Sequence, residues 1–214
     1  LFALGFVVVG FIALQVPLMH VIGSKVSFTL FDAFSPISGA FLGGIIGAIS
    51  VLVMQIANFI THGAHLSDTA SVIRLFPMIF AALYFGRKSF INIAIPLIAM
   101  TAFIFHPIGR HVWYYPMYWW IPVICYFFQE KSLIARSLGA TFTAHAIGST
   151  LWLYVFNLPA PVWTSLIPIV AMERLLFTAG TSVAYLAVNA AFNFVNQKHW
   201  FSYQFPVKIS PKLF

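Results

Sequence analysis

Apolar residues run through this chain in long blocks separated by short polar breaks. The blocks fall at about 1–20, 35–57, 69–86, 90–106, 115–129, 133–156 and 164–194. Many of them approach the roughly 20 residues a helix needs to cross a bilayer. The pattern predicts an all-α fold, a polytopic membrane helical bundle of six to seven transmembrane helices. Residues 1–197 form a single transmembrane domain, and 198–214 form a basic-aromatic tail on the inner leaflet. The last block is long for one crossing and carries Gly180, which predicts a tilt, a kink or an extension past the membrane. The opening LFALGFVVVGFIALQVPLM has no charged flank and no clear small-x-small cleavage site, so it reads as a span rather than a leader.

Composition strengthens this picture. Of 214 residues, 61% are hydrophobic and 7% charged, with a mean hydropathy of +0.95. A soluble domain of this size cannot hide so much apolar surface. The net charge of +7 matters through its placement and does not point to nucleic acid. If seven spans alternate, Lys25, Arg87, Lys88, Lys131, Arg136, Lys198, Lys208 and Lys212 share one side, and the loops opposite hold only Arg110. The positive-inside rule then makes the tail cytoplasmic and the loops 57–68, 107–114 and 157–163 external, in a cell membrane. Asp32 and Pro36 would mark a cytoplasmic entrance to the second span. A membrane-dipping piece within 21–34 would instead bring the amino terminus to the cytoplasm. The lone Cys125 excludes an intramolecular disulfide and any multi-cysteine metal site.

Polar groups inside apolar spans carry the functional information, because each needs a partner or a wet cavity. Arg74 lies in the third span, and Glu173 and Arg174 lie near the middle of the seventh. Thr141, His145, Ser149 and Trp152 share one face of the sixth, and Arg174, Thr178, Thr181 and Tyr185 one face of the seventh. Two such stripes describe a ligand cavity, a closed structural network, or a proton relay through His145 and Glu173. The segment HPIGRHVWYYPMYWW (106–120), with Trp113, joins Trp152, Tyr154 and Trp163 in an aromatic belt that also suits stacking on a ligand. In the loop 57–68, Asn58, His62, His65 and Asp68 form a ligand-capping segment or a plain polar one. Two loop histidines without further fixed ligands assign no metal site. No Gly-x-Ser-x-Gly elbow, spaced carboxylate pair or ATP-binding motif occurs, so neither an enzyme nor a cofactor is expected.

The stretch FDAFSPISGAFLGGIIGAIS (31–50) interleaves two rows of small residues, Gly39, Gly43, Gly47 and Ala40, Gly44, Ala48. Such rows let helix backbones approach closely in lipid. A sparser set, Ala3, Gly5, Gly10 and Ala13, lies in the first span.

The order FDAFSPISGAFLGGIIGAISVLVMQI, a polar loop, then DTASVIRLFPMIFAALYFGRKS resembles the substrate-binding S components of energy-coupling-factor vitamin transporters. There a Pro-x-x-Gly-Ala segment enters a Gly-rich span, and the span after the polar loop ends in a basic pair, here Arg87 and Lys88. PVWTSLIPIVAMERLLFTAG is similar to that family's last helix. The resemblance is clearest over 25–90. It implies a subunit that binds a vitamin or similar small nutrient near its outer face and works with a transmembrane coupling subunit and cytoplasmic ATPases. Ala3, Gly10 and Ala13 would then form the docking face for the coupling subunit. That family has six helices, whereas the pattern here gives seven blocks, the extra one around 90–129. On this reading Asn58, His62, His65, Arg74, His145, Ser149 and Glu173 supply polar contacts to the nutrient, and Trp113 and Trp152 supply stacking. The competing readings are an accessory subunit of a larger membrane complex and a self-sufficient secondary transporter.

Overall fold

The computed structural model describes residues 2–20, 27–61, 69–199 and 204–208. His62, His65 and Asp68 lie outside the described residues. Helix α1 (Phe2–Leu14) leads into an antiparallel hairpin of β1 (Pro17–His20) and β2 (Ser27–Thr29), followed by α2 (Leu30–Leu42) and α3 (Gly44–Thr61). Then come α4 (Thr69–Arg74), α5 (Pro77–Gly86) and α6 (Ile91–Phe105), two 3-10 turns (Gly109–Val112 and Tyr115–Trp119), α7 (Trp120–Phe128), α8 (Leu133–Phe156) and α9 (Ala160–Gln197). The all-α class is as expected, with a single small hairpin among the described residues.

The glycine-rich stretch is where the structure departs from the block pattern. The expected span 35–57 is two helices. Gly43 sits at φ +92°, in the left-handed region that favours glycine, and the chain turns there from α2 into α3. A Cβ on Gly47 would stand 2.6 Å from Gly39 Cα, and one on Gly86 would stand 2.7 Å from Gly44 Cα. Ser38 Oγ donates to the Gly47 carbonyl at 3.3 Å. The rows thus bring the backbones of α2, α3 and α5 into contact within this chain. Thr29 and Asp32 set where α2 begins, the Thr29 amide donating to Asp32 Oδ2 at 2.7 Å.

Cross-contacts fix which helix ends lie together. Asn92, at the start of α6, donates to the carbonyls of Tyr84 and Arg87 and to Gln129 Oε1 at 3.0 to 3.2 Å. The Arg136 guanidinium donates to the carbonyls of Phe85 and Gly86. This end gathers Arg87, Lys88, Lys131 and Arg136. At the opposite end Gln15 donates to Asn58, Tyr154 to the Ala102 carbonyl, and Trp163 to the Leu158 carbonyl. Phe2 packs on Phe192 and Phe205, so the first and last described segments meet.

Two aromatic-rich cores result. One holds Phe6, Phe34, Phe41, Phe85 and Tyr185; the other holds Phe103, Tyr115, Trp119 and Trp163. In α1, Gly10 lies against Met54 and Ala13 is buried, while Ala3 is half-buried. The α1 face expected to dock a coupling subunit is therefore largely occupied by α3 of the same chain. Residues 204–208 strap back along α9. Asn196 pairs with both the carbonyl and the amide of Phe205, and the Lys208 amide donates to Asn189 Oδ1 at 2.6 Å.

Among the described residues, Gly44–Thr61, Thr69–Gly86 and Ala160–Gln197 are long and apolar enough to cross a membrane. Helices α1, α2 and α6 are apolar but shorter. At 1.5 Å per residue, the 13 residues of α2 reach only about 20 Å. The outer faces are greasy: Ile45, Ile49, Val53, Ile56 and Ile60 make an exposed stripe along α3. Water-soluble surfaces rarely carry so long an apolar patch.

Candidate functional site

Helix α8 starts on Ser132, whose hydroxyl accepts from the Ala135 amide, and ends on Asn157 in a left-handed conformation. Its face presents His145 and Ser149 one turn apart toward the 3-10 turn that holds Tyr115 and Trp119. Trp119 Nε1 donates to His145 Nδ1 at 3.0 Å. An indole nitrogen only donates, so Nδ1 accepts and a neutral imidazole carries its hydrogen on Nε2. That Nε2 lies 3.1 Å from both Tyr115 Oη and Ser149 Oγ, and those two oxygens are 3.4 Å apart. His145 is thereby held with both ring nitrogens engaged, and the rings of Tyr115, Trp119 and Phe142 stand tilted or edge-on around it.

Next to this group, α9 contributes Glu173 and Arg174, both buried, with Arg174 Nη2 3.6 Å from Glu173 Oε2. The Arg174 guanidinium lies over Phe177 (4.9 Å) and over Phe28 of β2 (5.2 Å). Arg174 is within electrostatic reach of Asp32, Tyr115 and His145. Asp32 is also within reach of Arg74. The expected single span entered at Asp32 and Pro36 is thus two helices. The reversal at Gly43 puts the start of α2 beside the middle of α9.

Hydroxyls extend the cluster along the α8–α9 seam. Thr178 donates to the Arg174 carbonyl at 2.7 Å and lies 3.3 Å from Thr141 Oγ1, and Ser182 donates to Ser137 at 2.9 Å. Among the described residues three buried polar side-chain atoms have no hydrogen-bond partner: Ser35 Oγ, Arg174 Nε and Thr181 Oγ1. They belong to α2 and α9, which touch where Gly180 meets Ala33. A buried polar atom left unpaired costs about 1–3 kcal/mol. Two of them, Arg174 Nε and Thr181 Oγ1, lie two turns apart on one face of α9 and form a local concentration of unmet hydrogen-bonding capacity.

The expected site residues separate into groups. His145, Ser149 and Glu173 come together at the cluster, with Arg74 near Asp32 at its edge. Asn58 sits at the end of α3, accepting from Gln15 at 3.0 Å. Trp152 packs on Phe156, and Trp113 is 57% exposed beside Tyr114, so neither ring stacks over the cluster. Tyr115, Trp119, Phe28 and Asp32 were missed as site residues. The i, i+4 spacing of Tyr115 and Trp119 was the available signal, hidden inside a segment that reads as an aromatic belt. A separate open cleft of about 450 Å³ lies between His111, Tyr114, Pro161 and Thr164, bridged by a Tyr114–Thr164 hydroxyl contact of 2.8 Å.

Among the described residues no group of three or more potential metal-ligating side chains occurs. Comparison with models of protein families, with curated proteins and with solved structures gives no match.

Proposed function

We propose that this chain is a multi-pass membrane protein that binds a small nutrient for uptake and works with a separate ATP-driven coupling module. The observation that carries this reading is Arg174, a buried guanidinium with an unpartnered Nε, boxed by Phe28 and Phe177. An arginine taken out of water at such cost and left partly unpaired is organised to meet an acceptor that comes and goes. A solute with a carboxylate or carbonyl beside a flat ring would satisfy Arg174, with Tyr115 and Glu173 within reach and phenylalanine rings on either side. Recognition rather than turnover is favoured because His145 carries its hydrogen on Nε2, toward Tyr115 and Ser149, and so has no lone pair there to take a proton from either hydroxyl.

The membrane part of the reading rests on the three long apolar helices and the exposed isoleucine stripe of α3. Orientation follows from charge. Arg87, Lys88, Lys131, Arg136, Lys198 and Lys208 gather where α5, α7 and α9 end, which supports reading that end, with both described termini, as the cytoplasmic one. The polar cluster then lies, buried, between the middle of the bundle and its outer end. The given sequence carries no ATP-binding motif, so on this reading ATP hydrolysis is the work of partners.

Thermal unfolding of purified protein against a panel of vitamins and nucleobases tests the reading. A ligand at about 100 times its Kd stabilises by about 2.7 kcal/mol, a clear upward shift. No response to any compound, together with stable co-purification in a large assembly, would overturn it in favour of an accessory-subunit role.

A further inference from the structure

A second polar concavity lies at the opposite end of the bundle, apart from the Arg174 cluster. It encloses about 260 Å³ and is lined by Gly86, Arg87, Lys88, Gln129, Glu130, Arg136 and Lys208. Four cations face one carboxylate in a small space. Packing has fixed several of these groups. Arg136 donates to the carbonyls of Phe85 and Gly86, lies beside Tyr185 and rests over the Phe85 ring at 4.5 Å. Lys88 lies over the Tyr126 ring at 4.6 Å. Gln129 is pinned by Asn92 at 3.0 Å.

The fourth cation comes from the carboxyl-terminal strap. The Lys208 backbone is held on both sides, its amide donating to Asn189 and its carbonyl accepting from Tyr185 Oη. Those bonds place residue 208 at the rim of a pocket otherwise built from α5, α7 and α8. A strap that ties down a lysine beside three other cations raises the cost of leaving the pocket empty. The ligand chemistry that answers is a compact anion with several acceptor oxygens.

We propose that this pocket binds the phosphate group of an anionic lipid headgroup. A phosphate is bidentate toward arginine and presents further oxygens to lysine, matching an Arg136, Arg87 and Lys208 set around one concavity. Basic pockets between helices at the cytoplasmic face are where anionic headgroups concentrate. The membrane reading enters only as the source of the phosphate. The pocket is distinct from the proposed nutrient site, so each can fail without the other.

Short-chain phosphatidylglycerol or phosphatidylcholine is titrated into protein held in neutral detergent, and the melting temperature is read. Phosphatidylglycerol should stabilise the wild type and phosphatidylcholine should not. The double variant Arg87→Gln, Lys208→Gln removes two exposed side chains and should leave the lipid-free melting temperature unchanged. Its apparent affinity should fall roughly fivefold for each charge, about twenty-five-fold for the pair. Lys198→Gln, a basic residue at the same end but outside the pocket, should bind as the wild type does. Equal stabilisation by both lipids, a response that survives the double variant, or an equal loss in Lys198→Gln would overturn the assignment. Stabilisation by inorganic phosphate as strong as by the lipid would overturn the lipid source. Stabilisation by a polyglutamate peptide and not by phosphatidylglycerol would give the pocket to an acidic protein.

Discussion

Replacing Gly39 with alanine adds one methyl group at the tightest approach of α2 to α5. An ideal Cβ there overlaps the Ala82 carbonyl oxygen and stands 2.8 Å from the Ala82 carbonyl carbon and 3.0 Å from Gly86 Cα. All three are backbone atoms, so no rotamer change relieves the contact. Ordinary carbon contacts lie at about 3.5–4.0 Å, so the helices must part by about 1 Å or more. Overpacking of this kind costs about 1–3 kcal/mol. Alanine returns up to about 1 kcal/mol through better helix propensity. The clash wins, and the net loss is about 2 kcal/mol, a fall in melting temperature of roughly 4–8 °C for a chain of this size. Gly5→Ala is the matched control, because nothing lies within 4 Å of its added Cβ. It should melt at or slightly above the wild-type temperature. Differential scanning fluorimetry in detergent reads both. Equal melting temperatures for Gly39→Ala and Gly5→Ala would refute the packing of the glycine rows described above.

Asn92→Ala should destabilise by about 1–3 kcal/mol in the same assay, because Gln129 Oε1 and the carbonyls of Tyr84 and Arg87 lose a shared buried donor. Phe205→Ala removes ring contacts with Phe192 at 5.2 Å and Phe2 at 5.9 Å, each worth about 1 kcal/mol. It should release the strap, seen as faster proteolysis beyond residue 197 with the bundle intact. Trp119→Phe removes the donor that fixes the His145 tautomer. The ¹⁵N imidazole shifts should change from a single Nε2–H form to a mixture, and an unchanged spectrum would show that another group sets the tautomer.

Much of the architecture was legible because helical packing in an apolar chain leaves a compositional trace. The blocks 69–86, 90–106 and 133–156 match the helices closely, and the polar stripe through Thr141, His145 and Ser149 does line one face of α8. The small-residue rows correctly marked a close helix approach. What they concealed was the turn between α2 and α3. An i, i+4 glycine row continues unbroken in sequence across Gly43, whereas its positive φ reverses the chain in space. That single backbone torsion moved Asp32 to the Arg174 side of the bundle and the amino-terminal segment to the side of the strap. The site was half visible for a related reason. Charged residues inside apolar runs announce themselves, which gave Glu173 and Arg74. Tyr115 and Trp119 do not stand out in a segment full of rings. Their role depends on two 3-10 turns folding back over α8, a geometry that period and composition do not encode.

The most direct test of a solute-binding role centred on Arg174 is native mass spectrometry of the protein purified without added ligand, wild type beside Arg174→Gln. Glutamine keeps a donor but removes the charge and leaves Glu173 without its cation, a cost of about 3–5 kcal/mol, so the variant should melt lower and is compared with the wild type well below its melting temperature. The wild type should carry, or take up from a vitamin and nucleobase mixture, one small molecule of defined mass at one copy per chain, and Arg174→Gln should lose it. Retention of the same mass by the variant, or no bound solute in a wild type exposed to the full mixture, would contradict the account.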